Sequence, residues 1–175
     1  MQEPTNDMVL NLLQETFNDR ILKTEVVRNQ LQIEVIGTHV YELIKFLKDD
    51  ERCDFSYLVD IGGVDFLKNG DGPERFGVIY ILQNMNNYLR IIIRTYISEE
   101  DLEIDSLTPL YLAANWAERE VYDMFGISFK GHPDLRRILM PDDYEGHPLR
   151  KDYPLQGRGE RENFSRYEYY EPSKV

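Results

Sequence analysis

The sequence predicts an α+β protein: a small mixed or antiparallel β-sheet with helices packed on it, followed by a long extended C-terminal arm. Three observations predict this fold. Apolar residues recur at helical spacing in some segments and alternate with polar residues in others. Glycine, asparagine and proline clusters separate these segments. Beyond Met140 the only branched aliphatic residues are Leu149, Leu155 and Val175, which is too few for a core.

A helix and a hairpin are predicted first. Residues 5–17 place apolar side chains at helical spacing, with Asn6 or Thr5 as the N-cap. The next two segments are predicted strands, at residues 21–28 and 31–36. They are expected to form a hairpin around Asn29-Gln30, because apolar and polar residues alternate in the second strand.

A second helix and three strands follow. Thr38 is predicted to cap the helix, whose apolar stripe includes Val40, Leu43, Ile44 and Leu47. Residues 55–66 form a β-rich run that Gly62-Gly63 is expected to break, and a turn cluster occupies residues 69–73. The strongest strand pair covers residues 76–83 and 88–97.

The third helix is the best defined by sequence. Thr108 is its predicted N-cap, Pro109 its first residue and Gly126 its C-terminal stop. Its second half carries Glu118, Arg119, Glu120 and Asp123. Spacing alone favours a solvated charged face for these side chains, and Trp116 is interpreted as a packing residue.

Composition restricts the function. The chain has 175 residues, the size of one domain, with 20 basic and 32 acidic side chains and a net charge of −12. Phosphate backbones and anionic lipids repel such a chain, so general nucleic-acid binding is disfavoured. No stretch reaches the roughly 18 apolar residues that span a bilayer. No secretory signal is visible, and the expected setting is cytoplasmic.

No catalytic motif emerges. Cys53, the single cysteine, excludes an internal disulfide and a self-contained iron–sulfur cluster, and it is interpreted as a small core or surface residue. A metal site would combine His132 and His147 with nearby acids: Asp134, Asp142, Asp143 or Glu145. No HExxH or His–x–His spacing supports that site, so turn histidines are the favoured interpretation. Asp142-Asp143 is equally unsupported as a hydrolytic pair.

We divide the chain into an α+β body, residues 1–130, and the arm, residues 131–175. The arm holds five of the twelve tyrosines: Tyr144, Tyr153, Tyr167, Tyr169 and Tyr170. Such a segment either stays disordered or wraps a partner. Wrapping is favoured because arginine and tyrosine are typical interface anchors and the prolines reduce the entropy lost on docking.

Three segments carry a family resemblance: EREVYDMFGI at 118–127 followed by His132, RRILMP at 136–141, and GHPLRKDYPL at 146–155. Together they resemble the 30 kDa subunit of respiratory NADH:quinone oxidoreductase, which is bacterial complex I, in its short form. YLVDIGGVD at 57–65 and the strand pair at 76–97 are similar too. The resemblance is dense from Trp116 to Gly157.

The resemblance implies a non-catalytic subunit in the hydrophilic arm of complex I, on the cytoplasmic side of the bacterial inner membrane. It implies no cofactor in this chain, because FMN, iron–sulfur clusters and quinone are bound by partners. The implied partners are the 49 kDa subunit, which helps form the quinone site, and the ferredoxin-like subunit that carries two [4Fe–4S] clusters.

The resemblance also implies interface and fold-locking roles, none of them catalytic, for thirteen residues: Glu118, Arg119, Glu120, Tyr122, Asp123, His132, Arg136, Arg137, His147, Arg150, Lys151, Asp152 and Tyr153. Related subunits occur in membrane-bound hydrogenases and in complex I-like dehydrogenases, which are the nearest alternatives. A metal-dependent hydrolase using His132 and His147 and a free-standing interaction module are alternatives of other classes.

Overall fold

The computed structural model of the chain describes residues 4–67 and 73–159. Its elements, in chain order, are α1 (Asn6–Phe17), β1 (Ile21–Val27), β2 (Gln30–Ile36), α2 (Val40–Asp49), β3 (Tyr57–Asp65), β4 (Phe76–Gln83), β5 (Arg90–Ile97), β6 (Glu103–Asp105), α3 (Ala114–Phe125) and β7 (Ser128–Lys130). None of the helices in the described part of the chain has the length and apolar character that crossing a membrane requires.

Five strands form one mixed sheet in the order β1-β2-β5-β4-β3. Strand β1 pairs with β2, and β4 pairs with β3 and β5, all antiparallel. Strands β2 and β5 are parallel, with Leu31 opposite Ile91, so the crossover between them contains α2, β3 and β4. Strands β6 and β7 form a separate parallel pair. The predicted mixed sheet with packed helices is confirmed.

One face of the sheet forms the core. The alternation predicted for β2 is confirmed, because Leu31, Ile33 and Val35 have no exposed area whereas the residues between them are half-buried. Helices α1 and α2 cover this face with their apolar stripes: Val9, Leu12, Leu13 and Phe17 from α1, and Val40, Leu43, Ile44 and Leu47 from α2. Each such side chain contributes about 1.5–3 kcal/mol by leaving water.

Helix α3 packs against β3 at Gly63. A Cβ atom there would lie 2.5 Å from Cδ2 of Phe125, whereas a Cβ on Gly62 would meet no atom within 4 Å. Strand β3 runs unbroken through both glycines, and its irregularity lies between Leu58 and Asp60. The prediction that Gly62-Gly63 breaks this run is therefore wrong, and Gly63 instead allows the helix to approach.

Two local predictions near the N-terminus are corrected. The hairpin turn consists of Arg28 and Asn29, which both have positive φ (52° and 64°), and not of Asn29-Gln30, because Gln30 already belongs to β2. The N-cap prediction for α1 is confirmed at Thr5, whose hydroxyl accepts a hydrogen bond from the N–H of Met8. Thr38 does not cap α2, since it lies in a 3-10 turn at Gly37–His39.

The predicted start of α3 is also wrong. The helix begins at Ala114, six residues after the predicted cap at Thr108. The reason is a carboxylate from within the helix: Glu118 accepts hydrogen bonds from the N–H of Leu107 and the hydroxyl of Ser106. These bonds fix residues 106–110 as turns. The predicted stop at Gly126 is confirmed, with φ at 77°.

Residues 131–159 contain neither helix nor strand and follow the body as a series of turns. They are the described part of the predicted arm. The predicted turn at residues 69–73 lies mostly outside the described residues, as do Tyr167, Tyr169 and Tyr170. The division of the chain at residue 130 stays a prediction.

Candidate functional site

The arm meets the body at the second half of α3. Glu118, Arg119 and Asp123 are buried there, so the prediction of a solvated charged face is wrong for these three residues. Only Glu120 among the four is exposed. Buried charges are costly unless they are paired and hydrogen-bonded. The partners of these side chains therefore decide what this part of the helix does.

Asp123 is fully buried, and its carboxylate is held by the arm. Oδ1 accepts a hydrogen bond from Nη1 of Arg137 at 2.6 Å. Oδ2 accepts three more from successive backbone N–H groups, those of Ile138 (3.1 Å), Leu139 (2.7 Å) and Met140 (2.9 Å). Burial alone would raise the pKa of Asp123, but these donors outweigh it and hold the pKa below its usual range. We call this cluster the first anchor.

Arg137 extends the first anchor into the arm. Its Nη2 donates to the carbonyl oxygens of Tyr144 at 2.8 Å and Gly146 at 3.0 Å. The guanidinium therefore joins the helix carboxylate to a turn of the arm seven to nine residues further on. A lysine could not make this set of contacts, because it lacks the planar array of donors.

Arg119 fastens the arm one helical turn earlier. Its Nε and Nη2 donate to the carbonyl oxygens of Arg136 and Arg137, each at 3.1 Å. The guanidinium lies over the ring of Trp116, 4.9 Å from the centroid. Trp116 is 63% exposed, so its interpretation as a packing residue is wrong. The side chain of Arg136 is exposed as well.

The arm also satisfies the C-terminal end of α3. A helix leaves its last four carbonyl groups without partners inside the helix. Here each has a donor: Tyr122 with the N–H of Gly126 (2.8 Å), Asp123 with Nδ1 of His147 (2.9 Å), Met124 with the N–H of Leu149 (3.2 Å) and Phe125 with Nε of Arg150 (2.6 Å). Three of the four donors belong to the arm.

The two histidines of the arm serve as hydrogen-bonding groups. Nε2 of His132 donates to the carbonyl of Asn115 at 3.1 Å, and its Nδ1 accepts from the N–H of Asp134 at 3.0 Å. His147 donates through Nδ1 to the carbonyl of Asp123. Burial, together with the charges of nearby arginines, lowers the pKa of His147, so the ring is neutral at pH 7.

The metal and nucleophile hypotheses gain no support. Within residues 4–67 and 73–159 no three His, Cys, Asp or Glu side chains converge as they would at a metal site. Asp142 and Asp143 are exposed. Cys53 is buried, and this burial raises the pKa of its thiol to about 11, which confirms its interpretation as an unreactive core residue.

A second anchor joins the arm to the ends of β3 and β4. The buried carboxylate of Asp65 accepts from Arg75 (3.2 and 3.3 Å) and from the N–H of Lys151 at 2.8 Å. Arg75 also pairs with Asp152 of the arm at 2.9 Å and with Glu99. Burial opposes ionisation of Asp65, but Arg75 and Lys151 outweigh it and lower the pKa.

Aromatic contacts complete the site. The hydroxyl of Tyr144 donates to that of Tyr153 at 2.6 Å, across a turn of the arm. Tyr122 on α3 lies edge-on to the ring of His147, with 6.3 Å between the centroids. Each of these contacts lies between residues of the arm or between the arm and α3.

The structure brings most of the predicted site residues together along α3 and the arm, and adds two that the sequence reasoning missed. Asp65 and Arg75 were not predicted, although a signal existed. They carry opposite charges and flank the loop between two predicted antiparallel strands, where residues lie opposite one another. Glu118 lies apart from the arm, and Glu120 has no role in the arm contacts.

Comparison with known proteins gives a consistent result. A family model described as the 30 kDa subunit of the respiratory-chain NADH dehydrogenase matches residues 33–159. One relative, a subunit of the NADH-quinone oxidoreductase of Citrifermentans bemidjiense, is 45% identical over 152 residues, which are 87% of this chain and 91% of that protein.

Two solved structures resemble the chain. The trypsin-resistant fragment (1-134) of Nqo5 has a TM-score of 0.64 and 34% identity, and the match covers 73% of this chain and 98% of that one. A chain of the membrane-bound sulfane sulfur reductase, an archaeal respiratory membrane complex, has a TM-score of 0.72 at 20% identity over 97% of both chains. At that identity the second likeness shows the fold alone.

Proposed function

The chain belongs to the 30 kDa subunit family of the respiratory-chain NADH dehydrogenase, and from this premise we propose that it is a non-catalytic scaffold of proton-translocating NADH:quinone oxidoreductase. Its named relatives are subunits of that oxidoreductase. In this proposal the chain holds the 49 kDa subunit against the ferredoxin-like two-cluster subunit. FMN, the iron–sulfur clusters and quinone are bound by these and other partners.

The observation that carries the proposal is the way the arm is fixed. Two buried carboxylates, Asp123 and Asp65, hold it to the body at separate places. Between and beyond these anchors the arm exposes apolar side chains: Leu139 (57%), Leu149 (50%) and Leu155 (100%). A segment that is already ordered loses less entropy when it docks, and exposed apolar groups supply the contact area.

The predicted site residues divide into two groups under this proposal. Arg119, Asp123, Arg137 and His147 use their polar atoms inside the chain, which supports a fold-locking role. The exposed side chains at Glu120, Arg136 and Lys151 are available for partners. The interface role of all thirteen residues stays a prediction.

The contribution to catalysis is indirect. The chemistry of electron transfer to quinone belongs to groups on the partners, and its rate depends on their spacing. A rigid scaffold between them fixes that spacing without touching substrate. We place the chain on the cytoplasmic side of the bacterial inner membrane, held there through the complex.

The test is recovery of tagged full-length chain from native membranes in mild detergent, with mass spectrometry and an NADH:quinone assay. We expect the 49 kDa and two-cluster subunits with the wild type, and their loss with the double variant Leu139→Glu/Leu155→Glu. Leu22→Glu is the matched control, because Leu22 is 54% exposed on edge strand β1, away from the arm.

Three results would contradict the proposal. Equal recovery and quinone reduction with the arm variant would remove the arm as the interface. Recovery of a hydrogenase large subunit without NADH activity would move the chain to the hydrogenase alternative. Stoichiometric metal on the purified chain, lost in His147→Ala, would favour the hydrolase.

A further inference from the structure

Glu118 is a carboxyl group that the arm does not use. It has no exposed area, and it lies in the first half of α3, where it faces the segment before the helix. Oε1 accepts from the N–H of Leu107 at 2.6 Å and Oε2 accepts from the hydroxyl of Ser106 at 2.7 Å. Within residues 4–67 and 73–159 it forms no ion pair. A fully buried carboxylate without a cation is expensive to ionise.

A chain of hydroxyl groups leads from Glu118 toward solvent. Ser106 Oγ lies 2.8 Å from Thr108 Oγ1. Ser106 is buried whereas Thr108 is half-buried, so the chain runs outward. A hydroxyl can both donate and accept. The same heavy-atom positions therefore suit an ionised Glu118, which accepts from Ser106, and a protonated Glu118, which donates to Ser106 while Ser106 donates to Thr108.

The surroundings offer no charge that would keep Glu118 ionised. Tyr80 on β4 is buried, and burial followed by the negative charges of Glu118 and Asp105 raises its pKa. Asp105 on β6 and Lys130 on β7 lie opposite each other in register and are both exposed. Arg119, the next residue of α3, donates to the arm instead.

We propose that Glu118 is a buried proton-binding site that solvent reaches through the hydroxyls of Ser106 and Thr108. Its proton occupancy makes the attachment of α3 to residues 106–108 respond to pH near neutrality. This inference does not depend on the proposed scaffold function, because it concerns the isolated chain as much as the assembled complex.

The direction of the pH effect follows from linkage. Burial raises the pKa of Glu118 to about 7, although Ser106 and Leu107 oppose the rise, against about 4.3 in the unfolded chain. The stabilisation by the bound proton is complete below about pH 4.3 and is lost as pH rises through 7. The unfolding equilibrium constant therefore increases by up to about tenfold per pH unit in this window.

The experiment is a ¹³C NMR titration of the glutamate side-chain carboxyls in the full-length chain from pH 4 to 9. We expect one signal with a midpoint near 7, absent from the spectrum of Glu118→Gln. Ser106→Ala removes a donor to the ionised form, so it should move that midpoint upward. If Glu118→Gln fails to fold, the shift in Ser106→Ala assigns the signal.

Midpoints below about 5.5 for every glutamate would overturn the proposal, as would a high midpoint that Glu118→Gln retains. Thr108→Val tests the hydroxyl route. It leaves both hydrogen bonds to Glu118 in place, so we expect the midpoint to stay and the signal to broaden near it, because proton exchange slows. An unchanged line width would show that protons reach Glu118 by another path.

Discussion

At the scale of single residues, Asp123 illustrates how a carboxylate can be stable at the unfavourable end of a helix. A negative charge near the C-terminal end of α3 opposes the helix dipole. The arm compensates with four donors, one from Arg137 and three from backbone N–H groups. Hydrogen bonds to a charged group contribute about 1.5–3 kcal/mol each, so the cluster exceeds the dipole effect.

We expect Asp123→Asn to destabilise the chain by about 3 kcal/mol, the usual result when one partner of a buried charged pair is lost. An amide has one acceptor oxygen, so its NH₂ group must face either Arg137 or the three backbone N–H groups. Urea unfolding of the full-length chain measures this loss. Glu120→Gln, an exposed change of the same kind on the same helix, should cost little.

The effect of Asp123→Asn should depend on pH. Because the pKa of Asp123 is lowered in the folded chain, its contribution is complete above the unfolded value of about 3.9. The contribution disappears as pH falls through the folded pKa. The stability difference between wild type and Asp123→Asn should therefore narrow below about pH 4. A constant difference down to pH 2 would contradict the assigned ionic role.

Sequence reasoning about these residues was limited by distance along the chain. Spacing within α3 favoured a solvated face, because the donors to Asp123 come from residues 137–140, which no helical period relates to it. Only the family resemblance singled out Asp123 and Arg137. Trp116 failed for a similar reason: its helical position is apolar, but the segment above it is Arg119, not a core.

At the scale of elements, α3 ends where the arm begins to cover it. Gly126 has φ of 77°, which suits glycine and ends the helix. A Cβ atom there would lie 2.5 Å from Nη2 of Arg150 and 2.6 Å from Nε2 of His147. Both side chains donate to carbonyls of α3, so the missing side chain makes room for the groups that complete the helix.

We expect Gly126→Ala to release this part of the arm as well as to strain the backbone. Left-handed backbone costs about 1 kcal/mol for alanine, and the displaced His147 and Arg150 add to that loss. Amide hydrogen exchange at Leu149, whose N–H bonds to Met124, should accelerate. Urea unfolding should show a loss clearly above 1 kcal/mol.

Gly131→Ala is the matched control for this prediction. Gly131 has nearly the same backbone, with φ of 82°, but a Cβ there would meet no atom within 4 Å. It should lose only the strain of about 1 kcal/mol and keep the exchange rate at Leu149. Equal losses in the two variants would mean that the arm does not need the space at Gly126.

The strands could be predicted from sequence and one helix start could not. Alternation in β2 reports directly which side chains face the core, and it was confirmed. The apolar spacing from residue 110 onward is genuinely helical, but Glu118 draws the N–H of Leu107 and the hydroxyl of Ser106 toward itself. A propensity rule for Thr108 and Pro109 contains no term for that tertiary contact.

At the scale of the whole molecule, the arm is attached at two places that the body holds apart. The first anchor lies on α3, and the second lies where β3 and β4 meet. Composition predicted an arm with too little apolar content for a core, but it could not show where the arm would be attached. That requires the partners of Asp65 and Asp123, which lie far along the chain.

If one continuous segment connects the anchors, losing either should weaken the other. We expect Asp65→Asn and Asp123→Asn together to cost about 1 kcal/mol less than the sum of the single losses. Each change also breaks bonds within its own part of the body, such as that of Asp65 to Arg75, but those losses add and cancel in the cycle. Calorimetric or urea unfolding of the four full-length proteins measures the coupling.

The control pairs Asp123→Asn with Glu34→Gln. Glu34 accepts from Arg94 and Tyr96 on the sheet, each at 3.2 Å, and both donors belong to β5 and not to the arm. That pair should add within about 0.5 kcal/mol. Strict additivity in both cycles would mean that the two anchors hold the arm independently. Coupling in the first alone would show that the arm transmits the loss, as a scaffold that fixes the spacing of its partners requires.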